Sequence, residues 1–201
     1  MIRAIHQPTP IIVVSGLPRS GTSLMMQMLR AGGVPIAADD VRAPDEHNPH
    51  GYFEFEAVKT IHEGRNLAWL EDVRGKAIKI VSYLLGWLPE SNDYLLLFMR
   101  RDLAEVAASQ AKMLTDAGLA EEGADVQRTI ELYSRHLQQV AQLIAARSCF
   151  VSLDVDYGHV LTDARPEAAR VATFLGSKLD VDAMAAAVDR RLYRNRGDQS
   201  P

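Results

Sequence analysis

The stretch "IIVVSGLPRSGTSLMMQML", residues 11–29, joins an apolar, β-branched run to a helical pattern through a Gly-, Pro- and Ser-containing turn. A run unbroken by polar residues suits a strand buried on both faces, so residues 11–15 are predicted as a central strand of a parallel sheet. A helix follows over residues 22–31, stopped by Gly32 and Gly33. Between strand and helix, Gly16 and Gly21 stand five apart. A turn so placed brings successive backbone N–H groups together at a helix N-terminus, where the dipole adds roughly half a positive charge. The loop Pro18, Arg19, Ser20, Gly21, Thr22 and Ser23 therefore reads as an anion cradle. In nucleoside-triphosphate loops the pattern is G-x-x-x-x-G-K-[ST], with the lysine on the terminal phosphates. Here Thr22 replaces that lysine and Arg19 is the loop's only cation, so the loop suits an anion with less charge to neutralise. Such turns also occur without a ligand.

Outward from this stretch, strand and helix signals alternate, the signature of a parallel sheet covered on both faces. Residues 33–52, rich in Pro, Asp, Asn and His, read as one long loop. A helix is predicted over residues 53–69, a second strand over 76–81 and a third over 94–99. Asp102 and Glu105 then form a capping box. The spacing of Val126, Ile130, Leu137, Val140 and Ile144 marks an amphipathic helix. "CFVSLDV" supplies a fourth strand, Pro166 starts a helix ending near Gly176, and a short alanine-rich helix follows near residue 180. The expected architecture is α/β, a three-layer sandwich of the P-loop type with a central parallel sheet flanked by helices.

A chain of 201 residues with 47% hydrophobic residues can bury one good core, and residues 1–201 are expected to form one domain. The formal charge of -4 argues against a nucleic-acid binder driven by phosphate neutralisation. The single cysteine, Cys149, excludes an intramolecular disulfide and fits a reducing compartment. Residues 1–10, "MIRAIHQPTP", carry no apolar stretch of signal-peptide type, and no run approaches the roughly 18 apolar residues of a membrane span. A cytoplasmic protein with no membrane partner is expected. His47 and His50 have no Cys or third His near in sequence, so no metal is expected. Trp69, Trp87 and the Met25, Met26, Met28 cluster read as core or pocket wall.

A second constellation follows the third strand: in "RRDLAEVAASQ", Arg101 stands at the strand's carboxyl end and Ser109 eight residues on. Ligands of open α/β sheets bind beyond the carboxyl ends of strands. If the third strand neighbours the first, Arg101 faces the loop's crevice. Arginine suits bidentate phosphate recognition and a helical serine adds a hydroxyl. The alternative is that Arg100 and Arg101 are solvated and Ser109 packs on the sheet.

Together these segments resemble the sulfotransferases that use 3′-phosphoadenosine-5′-phosphosulfate (PAPS). "GLPRSGTSLMMQML" is similar to their 5′-phosphosulfate loop, closest in wording to tyrosylprotein sulfotransferases and bacterial sulfotransferase-like proteins. "LLLFMRRDLAEVAASQ" resembles their 3′-phosphate motif, which implies that Arg101 and Ser109 hold a 3′-phosphate. "AIKIVSYLLGWLP" resembles the strand whose lysine approaches the transferred sulfonate, here Lys79. "DYGHVLTDARPEAARVATFLG" is similar to the family's Tyr-containing segment, making Tyr157 an adenine neighbour. The resemblance covers most of the chain in order and implies a PAPS donor, adenosine 3′,5′-bisphosphate (PAP) as product and no metal. It also accounts for the missing lysine: a sulfonyl group in transfer carries less charge than a phosphoryl group, so backbone donors with Arg19 and Lys79 suffice.

Two departures follow. Many family members carry a catalytic His two residues after the strand lysine; Val81 stands there. The base is therefore sought in "DEHNPHGYFEFE", with Glu54 as first choice and Glu46 and His47 behind it. The tail "LYRNRGDQSP" only faintly matches the basic loop that longer members fold over the nucleotide, with Arg194 and Arg196 as its cations. The expected activity is transfer of a sulfonyl group from PAPS to a hydroxyl, or an amine, of a small molecule, sugar or peptide. The alternatives are a non-catalytic nucleotide-binding relative and a P-loop kinase. Neither the acceptor nor the oligomeric state is legible.

Overall fold

The computed structural model describes residues 9–39, 53–64, 67–116, 118, 126–176 and 178–189. Its centre is a five-stranded sheet in the order β2-β3-β1-β4-β5, formed by β1 (Ile11–Gly16), β2 (Ile36–Ala37), β3 (Ala77–Lys79), β4 (Tyr94–Arg100) and β5 (Phe150–Asp156). Every pairing is parallel, with Val13 opposite Ile78 and Leu96, and Leu97 opposite Leu153. The helices are α1 (Thr22–Ala31), α2 (Glu56–Lys59), α3 (Trp69–Asp72), α4 (Leu103–Asp116), α5 (Val126–Ala146), α6 (Tyr157–Thr162), α7 (Ala164–Leu175) and α8 (Val181–Ala186).

Strand periodicity divides the core into two layers. On one face Ile11, Val13, Ile78, Ile80, Tyr94, Leu96, Phe98 and Phe150 pack with Val140 of α5 and with Val58, Ile61 and Leu70. On the other, Val14, Ala77, Leu97, Met99 and Val155 pack with Met25, Met28 and Leu29 of α1 and with Val160, Val171 and Met184 of α6 to α8. Burial on both faces explains the continuously apolar central strands, and the expected α/β sandwich is the observed one. α1 ends as its two glycines predict: Gly33 is left-handed, with its N–H bonded to Arg30 and that of Val34 to Leu29.

Several expectations are corrected. Residues 53–69 do not form one helix. Phe53 at its start and Gly64 within it are both left-handed, which interrupts helical backbone, and α2 is a single turn whose Glu56 N–H is capped by Asp39. A 3₁₀ turn covers Ile61–Glu63, and α3 begins only at Trp69. The expected loop over 33–52 contains β2, whose two residues are too short to show a period. Val126 is exposed, not buried; of the expected stripe only Val140 is fully inside, with Leu137 and Ile144 packed partly against the core. The capping box forms from one side: Asp102 Oδ1 accepts the N–H groups of Ala104 and Glu105, while the Glu105 carboxylate turns to Arg101. Trp87 is not core; it is 52% exposed on a 3₁₀ turn, Ser82–Trp87.

Candidate functional site

Because all five strands run the same way, their carboxyl ends share one edge of the sheet, and chain emerging there carries the predicted site residues. β1 delivers the loop, β3 ends on Lys79, β4 leads into Arg101 and β5 into Tyr157. Lys79 lies opposite Val14, so it stands beside the start of the loop.

The loop is built around conformations that few residues adopt. Gly16 has φ 152, and a Cβ there would lie 2.4 Å from Ser20 Oγ and 2.8 Å from the Met99 carbonyl oxygen. Only glycine lets β1 and β4 approach so closely at the turn. Ser20 closes the turn on itself, its hydroxyl donating to the Leu17 carbonyl at 2.7 Å. Arg19 is left-handed at φ 68 and Gly21 at φ 96. Gly21 is the N-cap of α1 and has no side chain to offer, and no acidic residue lies in the first turn. With no side-chain cap on Gly21, the positive dipole end of α1 suits an anion.

Four predicted residues meet beside the loop. Arg19 Nε donates to Ser109 Oγ at 3.1 Å, and Ser109 is buried on α4. Arg101 Nη1 donates to the Arg19 carbonyl oxygen at 2.9 Å. The Arg101 guanidinium lies 4.5 Å from the Tyr157 ring centroid, and Gly21 abuts the same ring. Burial raises the Tyr157 phenol above its ordinary pKa, with the Arg101 charge opposing. The reading of Arg101 as a solvated surface arginine is set aside by its burial; Arg100 does reach outward, to Asp154 at 3.1 Å.

Sequence reasoning gave Glu105 a capping role and missed its larger one. Its Oε2 lies 2.9 Å from Arg101 Nε. The signal was present in the i,i+4 spacing of the two charges. A second missed group is His136 of α5, whose Nε2 is 2.8 Å from Ser82 Oγ and whose ring stacks on Tyr83 at 3.9 Å. Burial pushes its pKa down.

Glu54 comes from the β2 side of the sheet. Its carbonyl accepts the N–H of Asp39, just past β2, at 2.7 Å, which places it on the carboxyl edge but two strands from the loop. At the spacing of neighbouring strands that is about 10 Å across the sheet. Its half-buried carboxylate is 3.4 Å from Lys59 Nζ. The alternative bases Glu46 and His47, and the tail cations Arg194 and Arg196, lie outside the described residues. Among the described residues no group of three or more His, Cys, Asp or Glu is placed to hold a metal, and no helix is long and apolar enough to cross a membrane.

Neither protein-family models nor curated proteins give a match to this chain. Solved structures do. A sulfotransferase domain from the curacin biosynthetic pathway is similar at 18% identity and a TM-score of 0.53, covering 92% of this chain and 89% of its own. A sulfotransferase from Mycobacterium avium gives 13% and 0.54, over 89% of this chain and 66% of its own. Retinol dehydratase, solved in a complex with retinol and PAP, gives 16% and 0.51, over 92% and 65%. The chain therefore has the sulfotransferase fold.

Proposed function

We propose that this protein transfers a sulfonyl group from PAPS to a hydroxyl, or less readily an amine, of a small molecule, sugar or peptide. The observation that carries the reading is the convergence of Arg19, Arg101 and Ser109 beside a helix N-terminus with no side-chain cap, a grouping that suits two anions. A phosphosulfate at one end and a 3′-phosphate at the other match that pair. The fold likeness adds support, and retinol in one neighbour is a small hydroxyl compound.

In this reading the N–H groups at the start of α1 hold the 5′-phosphosulfate. Lys79, from the adjacent strand end, offsets negative charge growing on the leaving phosphate oxygen. Arg19 supplies a further cation to the donor. As the acceptor oxygen bonds to sulfur, the bond from sulfur to the 5′-phosphate oxygen breaks and its electron pair leaves with PAP. Glu54 takes the acceptor's proton. The protein's contribution is positioning and charge, without a metal ion.

One observation favours a second reading, a nucleotide-binding relative without turnover: Val81 occupies the position where many sulfotransferases carry their base. Incubation with sulfur-35 PAPS over phenols, sugars and tyrosine-containing peptides separates the two. Labelled product supports the transferase. PAP binding with no product over the panel supports the relative, and tight ATP-magnesium binding in place of PAP supports a kinase.

A further inference from the structure

Gln27 is the one polar residue in the run "LMMQML", residues 24–29, and it is buried at 7% exposure among Met25, Met26, Met28 and Leu29. A glutamine so placed ordinarily spends its amide on a hydrogen bond. Among the described residues no side chain or backbone group takes that amide up, and Gln27 instead lines an open groove of about 510 Å³. That volume is in the range of small-molecule sites.

Gln27, Arg30 and Ala31 stand at i, i+3 and i+4, so they share one face of α1. Ala186 at the end of α8 lines the groove with them, as do Ala187, Val188 and Asp189 just beyond it. Gly32 holds the two helices close: a Cβ there would lie 2.6 Å from Met184 Cγ, and the Gly32 carbonyl accepts the Asp180 N–H at 3.2 Å. The alanines leave the space between open. Arg30 is exposed, with its guanidinium carbon 4.9 Å from the Phe53 ring centroid, and among the described residues no carboxylate pairs with it. In the last turn it also complements the negative end of the α1 dipole, a role that leaves Gln27 unexplained.

We propose that this groove binds a small aliphatic monocarboxylate. The fork of Arg30 takes the carboxylate through parallel hydrogen bonds, and the Gln27 amide donates one more. The alkyl tail lies along Ala31, Ala186, Ala187 and Val188; none of these lining residues offers an aromatic face to a ring. Asp189 in the same groove opposes a second negative charge, which favours a monocarboxylate over a dicarboxylate. Arg30 follows Thr22, the first residue of α1, by eight positions, about 12 Å along the helix axis, so the groove is separate from the loop at the helix start. The site stands whether or not that loop holds PAPS.

The test is an NMR titration of the isotope-labelled protein with hexanoate, hexanol and hexylamine, which share a tail and differ in the head group. Hexanoate is expected to shift the amides of residues 27–31 and 186–188 saturably, hexanol at least about tenfold more weakly, the scale of one charge-assisted hydrogen bond, and hexylamine not at all. Arg30→Gln is expected to weaken hexanoate by at least about tenfold and to change hexanol by less than about threefold. Gln27→Met, close in shape, is expected to weaken hexanoate while the free protein keeps or raises its denaturant midpoint, because an unpartnered buried amide is removed. Ala186→Phe, at an exposed position, is expected to fill the groove and abolish binding, with folding checked by circular dichroism. Hexanol or hexylamine bound as tightly as hexanoate overturns the proposal, and so does Arg30→Gln without loss. Shifts confined to residues 16–23 would give the carboxylate to the loop and overturn it as well, as would a wild type with no saturable shift.

Discussion

Gly21 lies directly against the ring of Tyr157: a Cβ on Gly21 would stand 2.4 Å from Tyr157 Cδ2. Tyr157 is itself buried, between Arg101 and the loop, so the ring has little room to withdraw. Gly21 also has φ 96, where any side chain is strained. Gly21→Ala is expected to cost about 1 to 3 kcal/mol and to weaken PAP more than the stability loss alone explains. Denaturant melts with parallel calorimetry check this. A variant of wild-type stability and affinity would show that the loop tolerates displacement.

The pair of Arg101 and Glu105 sets a second expectation. Breaking a mostly buried ion pair from one side strands the other charge, so Arg101→Met alone is expected to lose about 2 to 4 kcal/mol. Arg101→Met combined with Glu105→Met is expected to lose less, which a denaturant series on the three variants reads. A double variant at the sum of the singles would deny the coupling.

The same arginine can be tested through the ligand. Removing the 3′-phosphate is expected to cost the wild type much of its affinity but Arg101→Ala little, because residue and phosphate act through one site. Independent losses would place the 3′-phosphate elsewhere.

For the base, Glu54→Gln keeps the shape and removes the proton acceptor. Turnover is expected to fall by roughly two to four orders of magnitude while PAP affinity survives. Slow hydrolysis of the donor by water serves as a readout before an acceptor is found. Hydrolysis untouched in Glu54→Gln but abolished in Glu46→Gln or His47→Asn would move the base earlier in the chain.

His136 gives a pH dependence with a definite sign. Its pKa is depressed by burial, so as pH falls below about 6.5 the unfolded chain binds the proton before the native one. Stability from this group is full above that value and is lost as pH falls toward the depressed one. His136→Gln is expected to flatten the fall in denaturant midpoint between about pH 7.5 and about pH 5.5. Equal falls in both proteins would assign the dependence to other groups.

The loop and its flanking strand and helix are legible because every signal in residues 11–33 is local: an apolar run, paired glycines and a glycine stop. The pairing of Arg101 with Ser109 as candidates is a local signal too, eight residues apart in the chain. Their meeting with Arg19 depends on β4 pairing with β1, a choice among strands that spacing leaves open. Residues 53–69 misread because the left-handed Phe53 is held by the fold: Arg30 lies over its ring at 4.9 Å, a contact 23 residues away in the chain. Glu105 was seen as a cap and not as an ion-pair partner because its spacing satisfies both roles, and only the burial of Arg101 decides between them.

The donor reading is decided most directly by a crystal structure with PAP bound. The 5′-phosphate is expected within hydrogen-bond reach of the backbone N–H groups of residues 19–23, with the 3′-phosphate against Arg101 and Ser109 and the adenine beside Tyr157. A nucleotide bound away from the loop, or one whose 3′-phosphate meets none of these side chains, would contradict it.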